Sequence, residues 1–210
     1  MTTHREPPGE RDGQSPDERD APAATSLSAA ERILESAARV LADQGGTGLS
    51  MADVAAAAGV SKGLIHYHYR DKDALLARLA GWLADEVESR ERAALAGVVP
   101  GEAIDALWRW LEYELSLGDI RALLELARLR EGDAPGAARA AATRRRATAA
   151  TTVATLYETL ALRPRIPAEM LADVFVAFVD GLALDATHGP METHRVAYDV
   201  FWLAMLSLAE

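Results

Sequence analysis

The chain has 210 residues, half of them hydrophobic, with 22 Lys and Arg against 32 Asp and Glu, a formal charge of −10 and no cysteine. That length suffices for one large or two small domains with a real core, and the missing thiols exclude a disulfide scaffold, thiol catalysis and a Cys-ligated metal. No apolar run approaches the ~20 residues that span a bilayer, and residues 1–22 lack the apolar stretch of a secretory signal, so a cytoplasmic protein without membrane contact is expected.

The charge is unevenly spread. Residues 1–26 carry net −3 and residues 82–210 net −7, whereas residues 27–81 are neutral and hold the chain's only two lysines, Lys62 and Lys72. An acidic body argues against nucleic acid. Screening over roughly 8–10 Å, however, makes local charge the deciding quantity at a contact.

Residues 1–26 contain Pro7, Pro8, Pro16 and Pro22 among many charges and few apolar groups. Such a segment cannot offset its ordering entropy by burial and is expected to be a disordered tail. Its Arg5, Arg11 and Arg19 could reach a groove as homeodomain arms do, but its negative balance weighs against that.

From Ser28 onward the pattern is helical. Ser28 and Glu31 form a capping-box start, Ile33, Ala37, Val40 and Leu41 make one apolar stripe, and Gly45-Gly46 should end the first helix. Ser50 with Asp53 reads as a second capping box, opening a helix of about two turns that Gly59 stops. Ser61 can cap a third short helix to about Tyr69, and Asp71 a fourth that carries Leu75, Leu76, Leu79, Trp82 and Leu83. Breakers divide the remainder into helices at about 102–117, 119–131, 136–162, 168–187 and 192–208. No window alternates as a strand does. The fold class predicted is all-α, with nine helices.

Residues 48–69 read GLSMADVAAAAGVSKGLIHYHY. Two short helices joined by a tight turn at Gly59 make a helix-turn-helix, whose second helix enters a DNA major groove. At about 100° per residue, Ile65 and Tyr69 share a core-facing side with Val60, while Gly63 and Tyr67 lie opposite, flanked by Leu64 and His66. Lys62, Gly63, His66 and Tyr67 would offer cationic reach, close backbone approach and ring donors for phosphates or base edges. A solvated polar helix face would give the same pattern.

Residues 28–82 closely resemble the N-terminal domain of the TetR family (tetracycline-repressor-like regulators). The most specific stretch is AGVSKGLIHYHYRDKDALL, with its G-V-S-x-G core, its aromatic-His-aromatic ending and the Lys-Asp-x-Leu-Leu start of the fourth helix. The resemblance implies three DNA-binding helices followed by a six-helix ligand-binding and dimerisation domain. It divides the chain into a tail (1–26), a DNA-binding domain (27–87, helix-turn-helix 50–69) and a body (88–210). By position, it implies that Lys62 and Gly63 meet base edges and that Tyr67 and Lys72 hold phosphates, with further contacts near Thr47 and Ser50. His66 stands where the family usually has Tyr; if it keeps the phosphate contact, affinity should rise on acidification, because imidazolium is the better phosphate partner. Ala52 and Asp53 give the second helix little to read bases with.

Rival readings of these groups are weaker. His66 and His68 point about 200° apart on a helix and cannot share a metal. Arg144, Arg145 and Arg146 sweep the same angle and are expected on a solvated face, paired with acids such as Glu125 or Glu131. His188 and His194, flanking a Gly-Pro turn, are expected at the surface. No nucleophile–base pair, phosphate loop or metal spacing supports an enzyme, and no cofactor is implied.

The body's first helix has two apolar faces: Ile104, Leu107, Trp108, Leu111 and Leu115 on one, Trp110, Tyr113 and Leu117 on the other. Both should be buried. Trp82, Trp108, Trp110, Tyr113, Tyr157, Phe175 and Phe178 could together line an apolar pocket for a small effector. Leu171, Val174, Phe175, Phe178, Val179 and Leu182 leave helix 168–187 little polar surface. On helix 192–208, Val196, Val200, Leu203 and Leu206 form a stripe widened by Tyr198, Phe201, Trp202 and Met205. Such area at a chain end suggests burial between subunits, and the resemblance implies a homodimer through these two helices on a near-palindromic double-stranded operator. The expected function is a DNA-binding transcriptional regulator, a repressor released by a small hydrophobic ligand. The alternative is an all-helical interaction protein with a vestigial helix-turn-helix.

Overall fold

The structure, a computed structural model, describes residues 28–186 and 189–210, the side chains of residues 46 and 47 excepted. The expected tail, Thr47 as a side chain and His188 therefore lie outside the described residues. Among those described there are nine α-helices: α1 (Ala29–Gly48), α2 (Met51–Ala58), α3 (Lys62–His68), α4 (Lys72–Ala94), α5 (Ala103–Leu117), α6 (Asp119–Arg128), α7 (Ala134–Thr159), α8 (Ala168–Asp185) and α9 (Met191–Ser207). The predicted all-α class holds. The differences are local. A 3-10 turn, Pro100–Glu102, precedes α5; α6 and α7 stop three residues short of their expected ends; and Gly45 kinks α1 rather than ending it.

Caps set these boundaries. Ser28 accepts from the Glu31 amide while the Glu31 carboxylate accepts from the Ser28 amide, satisfying two orphan donors reciprocally. Ser50 caps α2 through the Asp53 amide, but the second half of the expected box is absent: the shorter Asp53 carboxylate takes the Ser50 hydroxyl instead. Asp71 caps α4 through the Ala74 amide.

Two cores divide the molecule, and α4 runs through both. The first gathers Ile33, Leu41, Val54, Ile65, Leu75 and Leu79 with Leu123 and Leu126 of α6 and Ala138 of α7. The second gathers Leu107, Leu111, Val153, Leu156, Phe175, Tyr198 and Trp202 around Val87 of α4. The first three helices are thus seated on α6 and on the first half of α7. At the seam the Asp73 carboxylate accepts the Asp133 amide with both oxygens, each at 3.0 Å. Gly132, at φ +83°, lies so close that a Cβ there would fall 2.0 Å from Asp73 Oδ1; only glycine fits both the conformation and the space. At the chain's other end, Pro164 pairs in an antiparallel bridge with Ala209, which ties the α7–α8 connection to the end of α9.

Several expectations fail for tertiary reasons. Arg144 pairs with Asp85 and Glu88, Arg146 with Asp173, and neither Glu125 nor Glu131 is their partner. Arg145 is buried rather than solvated, its charge balanced by Asp180 at 2.9 Å. His194 is 1% exposed, with Nε2 3.2 Å from Asp185. Tyr113 and Leu117 on the second face of α5 are exposed, although Trp110 on the same face is buried.

Candidate nucleic-acid interface

The turn between α2 and α3 follows from one residue. Gly59 caps α2 at φ 63°, and its amide returns to the Ala55 and Ala56 carbonyls. An L side chain there would cost about 1–2 kcal/mol in the left-handed region. Ser61 then restarts the helix by accepting the Leu64 amide. On the inner side Ile65 is fully buried and Tyr69 nearly so, its hydroxyl donating to the Ala30 carbonyl at 3.3 Å. Burial pushes the Tyr69 phenol up, so it stays neutral and anchors α3 to α1.

On the outer side Lys62, Gly63 and His66 are exposed, Leu64 is half-buried and Tyr67 is 82% exposed. The Tyr67 ring stands edge-on to His68, with centroids 5.3 Å apart. Gly63 leaves open space, with Ser61 Oγ 3.8 Å from a notional Cβ as its nearest neighbour. His66 Nδ1 lies 3.3 Å from the Arg70 carbonyl. A carbonyl can only accept, so Nδ1 carries the proton there.

The flanking residues are less free. The Ser50 hydroxyl is spent within α2 on Asp53. Lys72 is half-buried at the first position of α4, where the helix dipole disfavours a cation. Asp71 caps that helix and Asp73 is turned to the α6–α7 turn.

Five of the seven aromatics share the second core, with Trp108, Trp110, Tyr157 and Phe175 buried and Phe178 packed against them, whereas Tyr113 is exposed. Trp82 packs in the first core. Trp108 meets Tyr198 with ring centroids 5.1 Å apart, Trp110 meets Phe175 at 6.3 Å, and Phe178 stacks on Phe201 at 4.2 Å. The Tyr157 hydroxyl is used by the Met205 carbonyl at 2.6 Å. Trp110 and Tyr113 line a surface cleft with Arg90, Arg109, Ala93, Ala94 and Ala106. Among these, the rings of Trp108, Tyr157 and Phe175 act as core.

Helices α8 and α9 each turn one apolar face inward and another to solvent. Tyr198, Trp202 and Met205 are buried, while Val196, Val200 and Leu203 are exposed on the opposite side of α9; Met170, Val174 and Leu184 of α8 are exposed as well. The expected single widened stripe is therefore two faces.

Two groups escaped the sequence reading, Asp73 at the seam and Glu91 in the interior, and His194 was expected at the surface. Glu88 and Glu91 were legible in part. They continue the buried α4 series Leu76, Leu79, Ala80, Leu83, Ala84 and Val87, and a carboxylate on an apolar stripe is a signal. His194 follows the α8–α9 turn and has no such mark.

Comparison with known proteins agrees with this geometry. Residues 33–79 match the model of bacterial regulatory proteins, tetR family. The HTH-type transcriptional regulator CymR of Pseudomonas putida is 36% identical over 73 residues, which is 35% of this chain and 36% of CymR, so the chain matches just over a third of that relative's length. A transcriptional regulator of Rhodococcus sp. Rha1 is 27% identical with a TM-score of 0.66, over 87% of this chain and 98% of that one. A Saccharomonospora viridis regulator crystallised with choline is 25% identical with a TM-score of 0.64, over 82% and 94% of the two chains.

Proposed function

We propose that the chain, whose residues 33–79 match the model of bacterial regulatory proteins, tetR family, is a member of that family and a cytoplasmic, dimeric transcriptional repressor released from its operator by a small molecule. The observation that carries this is the outer face of α3: a helix with its inner side locked in the core holds Lys62, Gly63, His66 and Tyr67 in solvent. These residues suit a major groove, with Leu64, Lys72, Ser50 and Thr47 at its margins. The exposed faces of α8 and α9 supply the area for a two-fold dimer, which would set two α3 helices on half-sites about one helical turn or somewhat more apart. No helix of the described residues is long and apolar enough to cross a membrane.

The DNA-binding part is residues 27–87 and the body 88–210, with α4 as the shared strut. Because α4 enters both cores and Asp73 ties its start to the α6–α7 turn, a ligand that shifts the body changes the spacing of the two α3 helices. Its grip on one spacing then weakens operator binding by the same coupling free energy. A coupling of ~3 kcal/mol gives roughly 150-fold release. The relative crystallised with choline supports a small-molecule effector for this architecture.

A gel shift with the DNA upstream of the chain's own gene tests the reading. Specific binding should weaken with salt, and Lys62→Ala should reduce it at least tenfold. Retention indifferent to Lys62 and Tyr67 would favour an interaction protein with a vestigial helix-turn-helix.

A further inference from the structure

Glu91 lies on the inner side of α4 and is 3% exposed. The Thr152 hydroxyl of α7 is hydrogen-bonded to its carboxyl, and Oε1 meets no donor among the described residues. A buried carboxylate oxygen left without a donor is costly. Glu91 is among the residues that line a groove between α4 and α7 of about 170 Å³, with Arg92, Leu95, Thr151, Thr152 and Thr155 together with Ala96.

The charges around Glu91 call for a cation from outside. On α7, Arg145 is committed to Asp180 of α8, and Arg144 to Asp85 and Glu88. On α4, Arg90 serves Glu86, Glu114 of α5 and Asp119 of α6, and Arg92 at the groove rim faces Glu88 at 3.9 Å. Carboxylates therefore outnumber guanidinium groups, and no guanidinium reaches Oε1 of Glu91. Burial, with Glu114 and Glu88 adding repulsion, pushes the Glu91 carboxyl up to about 7 against the pull of Thr152 and Arg145.

We propose that this groove is a binding site for a small protonated amine, whose N–H groups meet the Glu91 carboxylate and the threonine hydroxyls while its short alkyl part lies on Leu95 and Ala96. The volume falls below the ~300–1,000 Å³ of drug-sized sites, so the amine carries only a few carbons. Hydroxyls and a carboxylate accept from an ammonium, whereas a quaternary ammonium has no N–H to give. Near neutral pH the incoming cation replaces the proton that Glu91 holds, so one carboxyl proton leaves to solvent as one ammonium binds. The binding chemistry stands on the groove; that the amine acts as the effector rests on the regulator reading.

Titration calorimetry on the full chain decides it, with n-butylammonium as probe and butan-1-ol, butyrate and tetramethylammonium as controls. Butylammonium should bind saturably, each control at least tenfold more weakly, and Glu91→Gln should lose at least tenfold. At pH 6, buffers of differing ionisation enthalpy should reveal release of up to one proton, which vanishes by pH 8. Glu91→Gln should fold, because a raised carboxyl pKa withdraws stability as pH rises from about 4.5 to about 7; the variant should melt at or above the wild type at pH 8. Should it not fold, proton release by the wild type alone decides. Absence of saturable butylammonium binding, equal binding by butan-1-ol or by folded Glu91→Gln, or binding without proton release at pH 6 overturns the site. Gel shifts on the same samples separate the two ideas: lost amine binding with an intact operator complex removes only the site, and the reverse removes only the regulator.

Discussion

Helices α3 and α9 both hold large side chains in water, but the company differs. On α3, Tyr67 at 82% exposure stands among Lys62, Gly63 and His66. On α9, Val196, Val200 and Leu203 lie at 63%, 60% and 71% exposure along one stripe, and Met170 and Val174 of α8 are exposed too. A lone phenol among donors suits a charged, hydrated surface. An unbroken aliphatic stripe offers no donor and gains only by leaving water against a similar surface. Exposure alone therefore says little, and the neighbours of an exposed apolar group indicate its partner.

The largest effect should come from breaking the α9 side. Val200→Glu with Leu203→Glu places four carboxylates in a two-fold interface. Losing at least ~1.5 kcal/mol per side chain removes ~6 kcal/mol or more, roughly 10⁴-fold in dimerisation. Sedimentation should show monomers that still fold, since both side chains face away from the core, and operator retention should fall with the dimer. An unchanged dimer would mean that the two exposed faces differ less than proposed.

A smaller effect is expected on α3. Gly63→Leu meets open space and improves helix propensity by roughly 1 kcal/mol, so melting should hold steady or rise. Operator affinity should drop by about 10–100-fold, because the side chain fills the gap through which the backbone approaches the groove. Unaltered affinity would remove α3 from the contact.

The smallest effect belongs to His66. Its exposed ring lies next to Tyr67 on α3, with Nδ1 3.3 Å from the Arg70 carbonyl. His66→Ala should weaken operator binding only a few-fold, because a single exposed contact is lost. Unchanged affinity would remove His66 from the interface.

The legible part of the molecule was its local part. Ser28, Ser61 and Asp71 bond to amides three residues away, so the sequence spacing is itself the structure. Gly59 marks the turn for the same reason, and the period of α3 separates Ile65 from Tyr67 without any knowledge of what lies beneath. Periodicity shows that a ring is apolar on one face, not which core receives it: Trp82 and Trp108 pack in different ones.

The amino-acid order thus determined the helices, their caps and the polar outer face of α3, since all are interactions within one or two turns. Tertiary structure decided the rest. Arg145 found Asp180 across 35 residues and Asp73 found the Asp133 amide across 60. Packing also hid Glu91 and His194 and chose which face of α9 went inward. Such choices depend on which helices meet, and a pairing between distant segments leaves no periodic trace in either one.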